Sequence, residues 1–229
     1  MKGILFLSES TEDIISYFSR VKKKRPFLIG VTGGSGSGKT SFIHALRNRY
    51  TTDEVCIISQ DDFYRPLHEQ TNDDKGIVNY DLPEAIDLKK FTATIKRLIK
   101  GQDVTMQEYT FNNKFKKPKQ LTFIAAPVIV VEGLFVYHHP TLKSLLDLKI
   151  YIEAKENLKV IRRIRRDQIE RNLPLDMVLY QYENHVLPAF ENFILPHKDE
   201  VDIIINNNKS FDPSLHLMTG FIDHQLHKK

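Results

Sequence analysis

Eight residues carry the clearest chemical signal in this sequence. The stretch GGSGSGKT at 33–40 satisfies G-x-x-x-x-G-K-[ST], with Gly33, Gly38, Lys39 and Thr40 at the fixed positions. Glycines let successive backbone N–H groups curl around phosphate oxygens, and the following helix adds its positive N-terminal end. We therefore predict a nucleoside triphosphate loop rather than a flexible turn, formed by Gly33, Gly34, Ser35, Gly36, Ser37, Gly38, Lys39, Thr40 and Ser41.

Within that loop two side chains have assigned chemistry. Lys39 is expected to reach the β- and γ-phosphates, and the Thr40 hydroxyl is expected to hold Mg²⁺. Such a loop does not identify what receives the phosphate, because motors, switches and small-molecule kinases all carry one. The letters DDKG at 73–76 match the D-x-x-G of a GTPase switch, but they follow polar residues rather than a strand. We interpret that match as chance.

Three carboxylates follow apolar runs and are expected at one edge of a sheet. VCIIS at 55–59 leads to Asp61 and Asp62, and VIVV at 128–131 leads to Glu132. In open α/β folds, ligands bind at the carboxyl ends of the strands. We predict Asp61 to be a general base that takes the proton of an attacking hydroxyl, and Asp62 to be a local hydrogen-bonding residue. Glu132 is predicted to be a second magnesium partner, with a helix cap as the alternative.

The stretch IRRIRRDQIERNLP at 161–174 is rich in arginine and is predicted to lie in a helix. At about 100° per residue, Arg162, Arg163 and Arg166 share one sector of that helix. Beside a phosphate loop we interpret them as phosphate ligands, whereas for an isolated helix ordinary i,i+4 pairing with Asp167 and Glu170 would be the simpler explanation. The apolar stripe expected to anchor the helix consists of Leu158, Ile161, Ile164 and Ile169.

Short apolar runs alternate with longer amphipathic ones, a pattern typical of a parallel α/β sheet with helices on both faces. Strands are predicted at 27–31, 55–59, 127–132, 149–153 and 201–206, and helices at 38–49, 84–100, 155–171, 175–192 and from 212 onward. Residues 104–124 are predicted to form a β-hairpin. Residues 1–25 look like an N-terminal extension of a single domain spanning 26–229.

Bulk composition narrows the class of protein. The chain has 229 residues, 41% of them hydrophobic, which suits one substantial core. An excess of 33 Lys and Arg over 29 Asp and Glu is too small to imply a polyanion partner. Cys56 is the only cysteine and lies in an apolar run, so we expect it to be buried in a reducing compartment. No run approaches a membrane span or a signal-peptide core, and we expect a cytoplasmic protein without a membrane partner.

Five motifs in order, GGSGSGKT, SQDDFYRP, YDLPEAID, VIVVEG and RRIRRDQIER with the following QYENHVLPAFENFILPHKDEVDIII, resemble the uridine kinase (uridine–cytidine kinase) family of P-loop kinases. The resemblance spans roughly residues 26–206. It implies a P-loop NTPase-type fold with a β-hairpin over the acceptor site and an arginine-bearing lid at about 160–174. It also implies ATP (or GTP) with Mg²⁺, a ribonucleoside acceptor, no nucleic acid partner and a homo-oligomer.

The resemblance also assigns residues to roles. Asp61 falls on the base that takes the proton of the 5′-hydroxyl, and Arg166 on a lid arginine that faces the ATP phosphates. Asp81 falls on the carboxylate that holds the 2′- and 3′-hydroxyls of the ribose, helped by Arg163. The remaining acceptor-site positions are Tyr64, Tyr109 and Phe111 as walls of the nucleoside site and Gln181 as a ligand of the base.

Two positions depart from the family. Lys114 stands where the family usually has a base-reading histidine, and Leu173 stands where it has a base-contacting arginine. Because polar pairing supplies selectivity for a base, these departures leave the nucleobase open. SQDDFYRP and YDLPEAID are at least as similar to nicotinamide riboside kinases, so nicotinamide riboside or another small hydroxyl acceptor is the alternative. A nucleotide-dependent regulator or RNA-binding protein is an alternative from another class, and it predicts binding that weakens steeply with salt.

Overall fold

The computed structural model describes residues 25–110 and 117–227. Its strands are β1 (Phe27–Thr32), β2 (Val55–Ser59), β3 (Val104–Gln107), β4 (Gln120–Phe123), β5 (Val128–Glu132), β6 (Leu148–Glu153) and β7 (Ile203–Asn206). Five of them form one sheet in the order β2-β5-β1-β6-β7, and all its neighbouring strands are parallel. The predicted parallel α/β fold is confirmed, and each predicted strand overlaps an observed one.

Six α-helices connect or flank the strands in this part of the chain. They are α1 (Lys39–Arg47), α2 (Leu88–Ile99), α3 (Pro140–Lys143), α4 (Glu156–Ile169), α5 (Leu175–Gln181) and α6 (Asp212–His227). The helix predicted at 175–192 is not uniform. After α5 it continues through π-helical turns at Tyr182–Val186 and Phe190–Ile194, with an α-helical turn at Leu187–Ala189 between them. We call residues 175–194 the composite helix.

The core has two layers because both faces of the sheet are covered. Alternate strand residues point to opposite faces: Ile29 and Val31 pack with α1 and α6, whereas Leu28 packs with α2 and the hairpin. The strands are consequently buried on both sides, as their nearly continuous Val and Ile content predicts. Cys56 is buried in the second of these layers, as expected.

Strands β3 and β4 form the predicted hairpin and pair antiparallel from Val104 opposite Phe123 to Gln107 opposite Gln120. Residues 111–116 are outside the described residues, and with them the predictions for Phe111 and Lys114. The same holds for residues 1–24 of the predicted extension. Arg25 is described, and its guanidinium pairs with Asp147 at 3.0 Å. No described helix is long and apolar enough to span a bilayer.

The prediction for the buried face of α4 is wrong. Ile161 and Ile169 of the expected apolar stripe are 45% and 81% exposed. The side chains that α4 buries are Lys159, Arg163 and Asp167. Helical periodicity identifies an apolar stripe, but it cannot show that charged side chains will be paired well enough to be buried. Here Ser35, Asp81 and Phe190 supply partners for Arg163 and Lys159. The partners of Asp167 are arginines of the same segment.

Candidate active site

The phosphate loop joins β1 to α1 and adopts backbone angles that favour glycine, most clearly at Gly36 and Gly38. Gly36 and Gly38 have φ of 78° and 99°, in the left-handed region where a side chain is strained. A Cβ on Gly38 would lie 2.1 Å from the Nδ2 atom of Asn207. That amide donates to the Ser37 carbonyl at 2.8 Å, so the loop following β7 supports the phosphate loop from behind. The predicted strand–loop–helix context is present.

Lys39 begins α1, and its side chain folds back along the loop. The Nζ atom donates to the Gly33 carbonyl at 2.7 Å and to the Gly34 carbonyl at 3.2 Å. Burial lowers the pKa of Lys39 to about 8, against the opposing influence of the Glu132 and Asp61 carboxylates. A phosphate group close to Nζ would favour the charged form, because an opposite charge raises the pKa of an amine. The ammonium is thus placed where an anion would stabilise it.

The carboxylates Asp61 and Glu132 come together because β2 and β5 are neighbours in register, with Ser59 opposite Glu132. The Ser59 hydroxyl donates to Glu132 Oε1 and accepts from the Asp61 backbone N–H at 3.1 Å. One hydroxyl therefore connects the two acidic positions. Ser59 was not predicted as a site residue, although it ends the strand directly before the predicted base.

The surroundings raise the pKa of both carboxyls. Burial and the Asp61 charge raise the pKa of Glu132 to about 7, while the Ser59 hydrogen bond and Lys39 oppose the rise. Desolvation by the surrounding protein raises the pKa of Asp61, and the Asp81 charge adds to the rise, although the Asp61 side chain is exposed. Lys39, Arg171 and Arg166 act in the opposite direction. Paired carboxyls with raised pKa values in a cleft are typical of functional sites.

The residues predicted to hold Mg²⁺ are compatible with it. Glu132 is 8% exposed, and a carboxylate buried at a sheet edge is stabilised by a cation. Thr40 is exposed at the start of α1, directly after the loop. No group of three or more His, Cys, Asp or Glu side chains within 25–110 and 117–227 is arranged to hold a metal ion. This donor set suits an ion that also takes oxygens from a nucleotide, which is the usual mode for Mg²⁺.

Arg163 lies between the phosphate loop and Asp81. Its Nη1 donates to the Ser35 hydroxyl at 2.9 Å, and its Nη2 lies 3.9 Å from an Asp81 carboxylate oxygen. The side chain is 5% exposed, and burial lowers the pKa of the guanidinium while Asp81 and Asp167 raise it. Two residues to which the resemblance gives ribose-binding roles, Arg163 and Asp81, are therefore adjacent.

Asp167 is the centre of a cluster of guanidiniums. Its carboxylate is fully buried and lies 3.2 Å from Arg163, 2.8 Å from Arg166 and 3.3 Å from Arg171. The Nε of Arg166 donates to it, whereas the contact with Arg163 is an ion pair without hydrogen-bond geometry. The sequence suggested for Asp167 only an ordinary i,i+4 pair on a helix surface. Arg171 was not singled out, although it follows Asp167 by four residues, a spacing that brings side chains together on a helix.

The region predicted to bind the acceptor contains aromatic rings and polar groups. Tyr64 packs against Tyr80 and Tyr109, with ring centroids 5.7 Å apart in both pairs. Gln181 is half-buried at the end of α5. Leu173 is half-buried after α4, and its N–H donates to the Asp167 carbonyl at 3.1 Å. Burial raises the pKa of Tyr64, and the nearby charges of Asp61 and Asp81 add to the rise. Tyr64 and Tyr109 therefore lie in the same region as Asp81 and Arg163.

Lys159 lies beside the phosphate loop, although the sequence did not single it out. Its ammonium lies 3.8 Å from the centroid of the Phe190 ring and 2.6 Å from Glu156. A Cβ on Gly34 would lie 2.9 Å from that ammonium, so Lys159 contacts the phosphate loop directly. Arg162 makes a similar link, donating to the Asn207 carbonyl at 3.0 Å. No sequence signal separates Lys159 from an ordinary surface lysine on a helix.

Comparison with known proteins shows a consistent set of relatives. The model of the phosphoribulokinase / uridine kinase family matches residues 28–212. The chain is 33% identical to uridine-cytidine kinase B of Dictyostelium discoideum, covering 90% of this chain and 85% of the relative. It is 34% identical to the uridine kinase of Streptococcus gordonii (88% and 96% covered) and 37% identical to that of Clostridium novyi (79% and 87%).

Solved structures share the fold at lower sequence identity. The phosphoribulokinase from Rhodobacter spheroides superposes with a TM-score of 0.57 at 20% identity, covering 80% of this chain and 71% of that one. A D-glycerate 3-kinase from Cryptococcus neoformans var. grubii gives a TM-score of 0.53 at 13% identity, covering 86% and 95%. At these identities the likeness concerns the fold alone.

Proposed function

The chain belongs to the phosphoribulokinase / uridine kinase family, and from that premise we propose that it phosphorylates the 5′-hydroxyl of a pyrimidine ribonucleoside with ATP, converting uridine or cytidine to the monophosphate in nucleoside salvage. The observation that carries the proposal is the position of Arg163. One buried guanidinium contacts Ser35 of the phosphate loop and lies beside Asp81, so phosphate donor and ribose would meet across a single side chain.

The chemical step needs a base, an electrophile and compensation of charge. Asp61 accepts the proton of the 5′-hydroxyl, the freed oxygen attacks the γ-phosphorus, and the bond to the β–γ bridging oxygen breaks to release ADP. The raised pKa of Asp61 suits this role, because a base is most effective when its pKa approaches the working pH. After the transfer, the proton is on the Asp61 carboxyl.

Cationic side chains stabilise the charge that moves to the phosphate oxygens. Lys39 is proposed to contact the β- and γ-phosphates and Arg166 to reach the γ-phosphoryl group from the lid. Thr40 and Glu132 are the residues that would hold Mg²⁺, which neutralises charge on the β- and γ-phosphate oxygens when bound. The loop itself contributes backbone N–H groups, held in place by Asn207 and Lys159.

A panel of acceptors assayed for ADP release with ATP tests the proposal. Uridine and cytidine should be phosphorylated, and Asp61→Asn should lower kcat by about 10²–10⁴-fold, the usual contribution of a general base. Asp62→Asn is the matched control on the same turn and should retain most activity. Near-normal turnover of Asp61→Asn would reject the base assignment, and no activity on any ribonucleoside would reject the function.

Nicotinamide riboside is the second candidate acceptor, because SQDDFYRP and YDLPEAID are similar to nicotinamide riboside kinases and because Leu173 offers no guanidinium to a pyrimidine. Leu173 stands at the end of the lid, half-buried, where a base-contacting arginine would be expected. The panel therefore includes nicotinamide riboside. If Leu173 faces a pyrimidine, Leu173→Arg should improve kcat/KM for uridine or cytidine relative to nicotinamide riboside. An unchanged ratio would place this residue outside the base site.

A further inference from the structure

We call residues 71–81, which end at Asp81, the acceptor loop. Its residues 73–77 form a tight turn, in which the Asp73 N–H donates to the Ile77 carbonyl and the Gly76 N–H donates to the Asp73 carbonyl, both at 2.9 Å. One carboxylate oxygen of Asp73, Oδ1, accepts from the backbone N–H groups of Lys75 at 2.9 Å and Ile77 at 2.8 Å. The hydrogen bonds of this oxygen therefore stay within the loop and stabilise its turn. The turn is the DDKG stretch that the sequence pattern left without a role.

The other oxygen of the same carboxylate faces the composite helix. Asp73 Oδ2 accepts from the Tyr180 hydroxyl at 2.8 Å and contacts the His185 Nε2 at 2.8 Å. The His185 side chain is 2% exposed, and the Lys75 ammonium lies 4.0 Å from the centroid of the Tyr180 ring. One carboxylate thus joins two segments that are about a hundred residues apart in sequence. We call Asp73, Tyr180 and His185 the latch.

The latch connects the two segments that carry Asp81 and Gln181, the proposed ligands of the acceptor. On the loop side, the acceptor loop ends at Asp81, which pairs with Arg163. On the helix side, Tyr180 directly precedes Gln181, and His185 lies in the π-helical turn that follows. Single π-helical turns are frequent at functional sites. Fixing Asp73 on this helix therefore fixes the distance between the proposed ribose carboxylate and the proposed base ligand.

Electrostatics keep the carboxylate charged. Burial raises the pKa of Asp73, but hydrogen bonds from Ile77, Tyr180, His185 and Lys75 outweigh it and lower the pKa to about 2. A carboxylate accepts stronger hydrogen bonds than a neutral group. A polar pair of this kind specifies one geometry, whereas an apolar contact between loop and helix would allow several.

We propose that the latch is a positioning device that holds the acceptor loop on the composite helix and thereby sets affinity for the acceptor without touching it. This inference rests on the proposed function, because Asp81 and Gln181 matter only if they bind the acceptor. It assigns a role to His185 and Asp73, which lie outside the proposed reaction centre.

The helix side of the latch can be removed while the turn remains intact, because Asp73 Oδ1 keeps its bonds to Lys75 and Ile77. We would compare Tyr180→Phe, His185→Leu and the double variant with His185→Gln, whose amide can still donate to Asp73. Glu183→Gln, exposed on the same π-helical turn, is the matched control. Tyr180→Phe changes only a hydroxyl on a half-buried ring, so a folding defect in His185→Leu would not stop the test.

We expect the KM for the acceptor to change while the KM for ATP and kcat do not. KM for the acceptor should rise about tenfold in the double variant, near the lower end of what losing hydrogen bonds to a charged group causes. KM for ATP and kcat should stay within about twofold, and His185→Gln should restore most of the acceptor affinity. An unchanged acceptor KM would overturn the proposal, as would equal rises in both KM values, which indicate general loss of structure.

A second measurement does not depend on turnover. Trypsin cleavage after the exposed Lys75, followed by mass spectrometry, should be faster in Tyr180→Phe and His185→Leu than in the wild type and in Glu183→Gln. Unchanged cleavage would show that the latch does not hold the loop. If cleavage accelerates but the wild type phosphorylates no nucleoside, the latch stands and the proposed function fails, so the two failures are distinguishable.

Discussion

We expect the substitution Asp167→Asn to lower the free energy of unfolding substantially. Asp167 is fully buried, and its carboxylate faces the guanidiniums of Arg163, Arg166 and Arg171 at 3.2, 2.8 and 3.3 Å. Asparagine has nearly the same shape and can still accept from Arg166 Nε, but it carries no charge. The change therefore isolates the electrostatic contribution of the cluster from its packing.

The size of the loss in the free energy of unfolding depends on how exposed each of the three arginines is. The Arg163 side chain is 5% exposed, and removing one partner of a buried ion pair typically costs about 3–5 kcal/mol. Arg166 and Arg171 are 32% and 49% exposed, so water screens them and each pair adds less than about 1 kcal/mol. Asp81 remains 3.9 Å from Arg163 and compensates in part, so we expect a loss of about 3 kcal/mol.

Urea unfolding followed by circular dichroism measures this loss directly. For a domain of this size it corresponds to a fall in Tm of roughly 6–12 °C. The control is Asp176→Asn, an exposed aspartate in the first turn of α5, which should cost less than about 1 kcal/mol. Turnover should fall roughly 10²-fold, because Arg163 and Arg166 lose the negative charge that orients them.

A loss below about 1 kcal/mol, similar to that of the control, would refute this reasoning. It would mean that the three guanidiniums are hydrated or find other anions, and that Asp167 is an ordinary helix residue. A normal stability with strongly reduced turnover would assign Asp167 to positioning of the arginines alone.

Three further substitutions test the phosphate loop and its neighbours. Gly38→Ala should leave the protein folded but abolish ATP binding, which isothermal titration calorimetry measures. The added Cβ would collide with Asn207, and alanine is strained at a φ of 99°. Retained affinity for ATP would show that the loop adjusts. Lys159→Met should raise KM for ATP about tenfold without changing KM for the acceptor, because its ammonium contacts Gly34; an equal change in both would indicate a structural role. Glu132→Gln should raise the Mg²⁺ concentration required for half-maximal turnover about tenfold, and an unchanged Mg²⁺ dependence would remove Glu132 from the metal site.

Local patterns predicted much of the fold because they describe local physics. Strands rich in Val and Ile, with little alternation, must be covered on both faces, and they are. The glycine spacing of the phosphate loop requires the observed backbone angles at Gly36 and Gly38. The edge positions of Asp61 and Glu132 follow from the parallel sheet, because carboxyl ends of parallel strands meet at one edge.

The misjudged face of α4 shows where local reasoning ends. Apolar spacing indicated Ile161 and Ile169 as anchors, yet these residues are exposed and charged ones are buried. Burial of Lys159 and Arg163 depends on partners from distant segments, namely Phe190 for Lys159, and Ser35 and Asp81 for Arg163. Those partners cannot be read from the spacing within one helix.

The sequence by itself determined the elements, the phosphate loop and the residue types available for phosphoryl transfer, because each of these is encoded within a few consecutive residues. Only the tertiary structure decided which charges meet. It placed Arg163 beside Ser35 and Asp81, Lys159 against Gly34, and Asp73 against Tyr180 and His185. The physical reason is that the energy of a buried charge depends on groups brought close by the fold, and their separation in the chain carries no information about that distance.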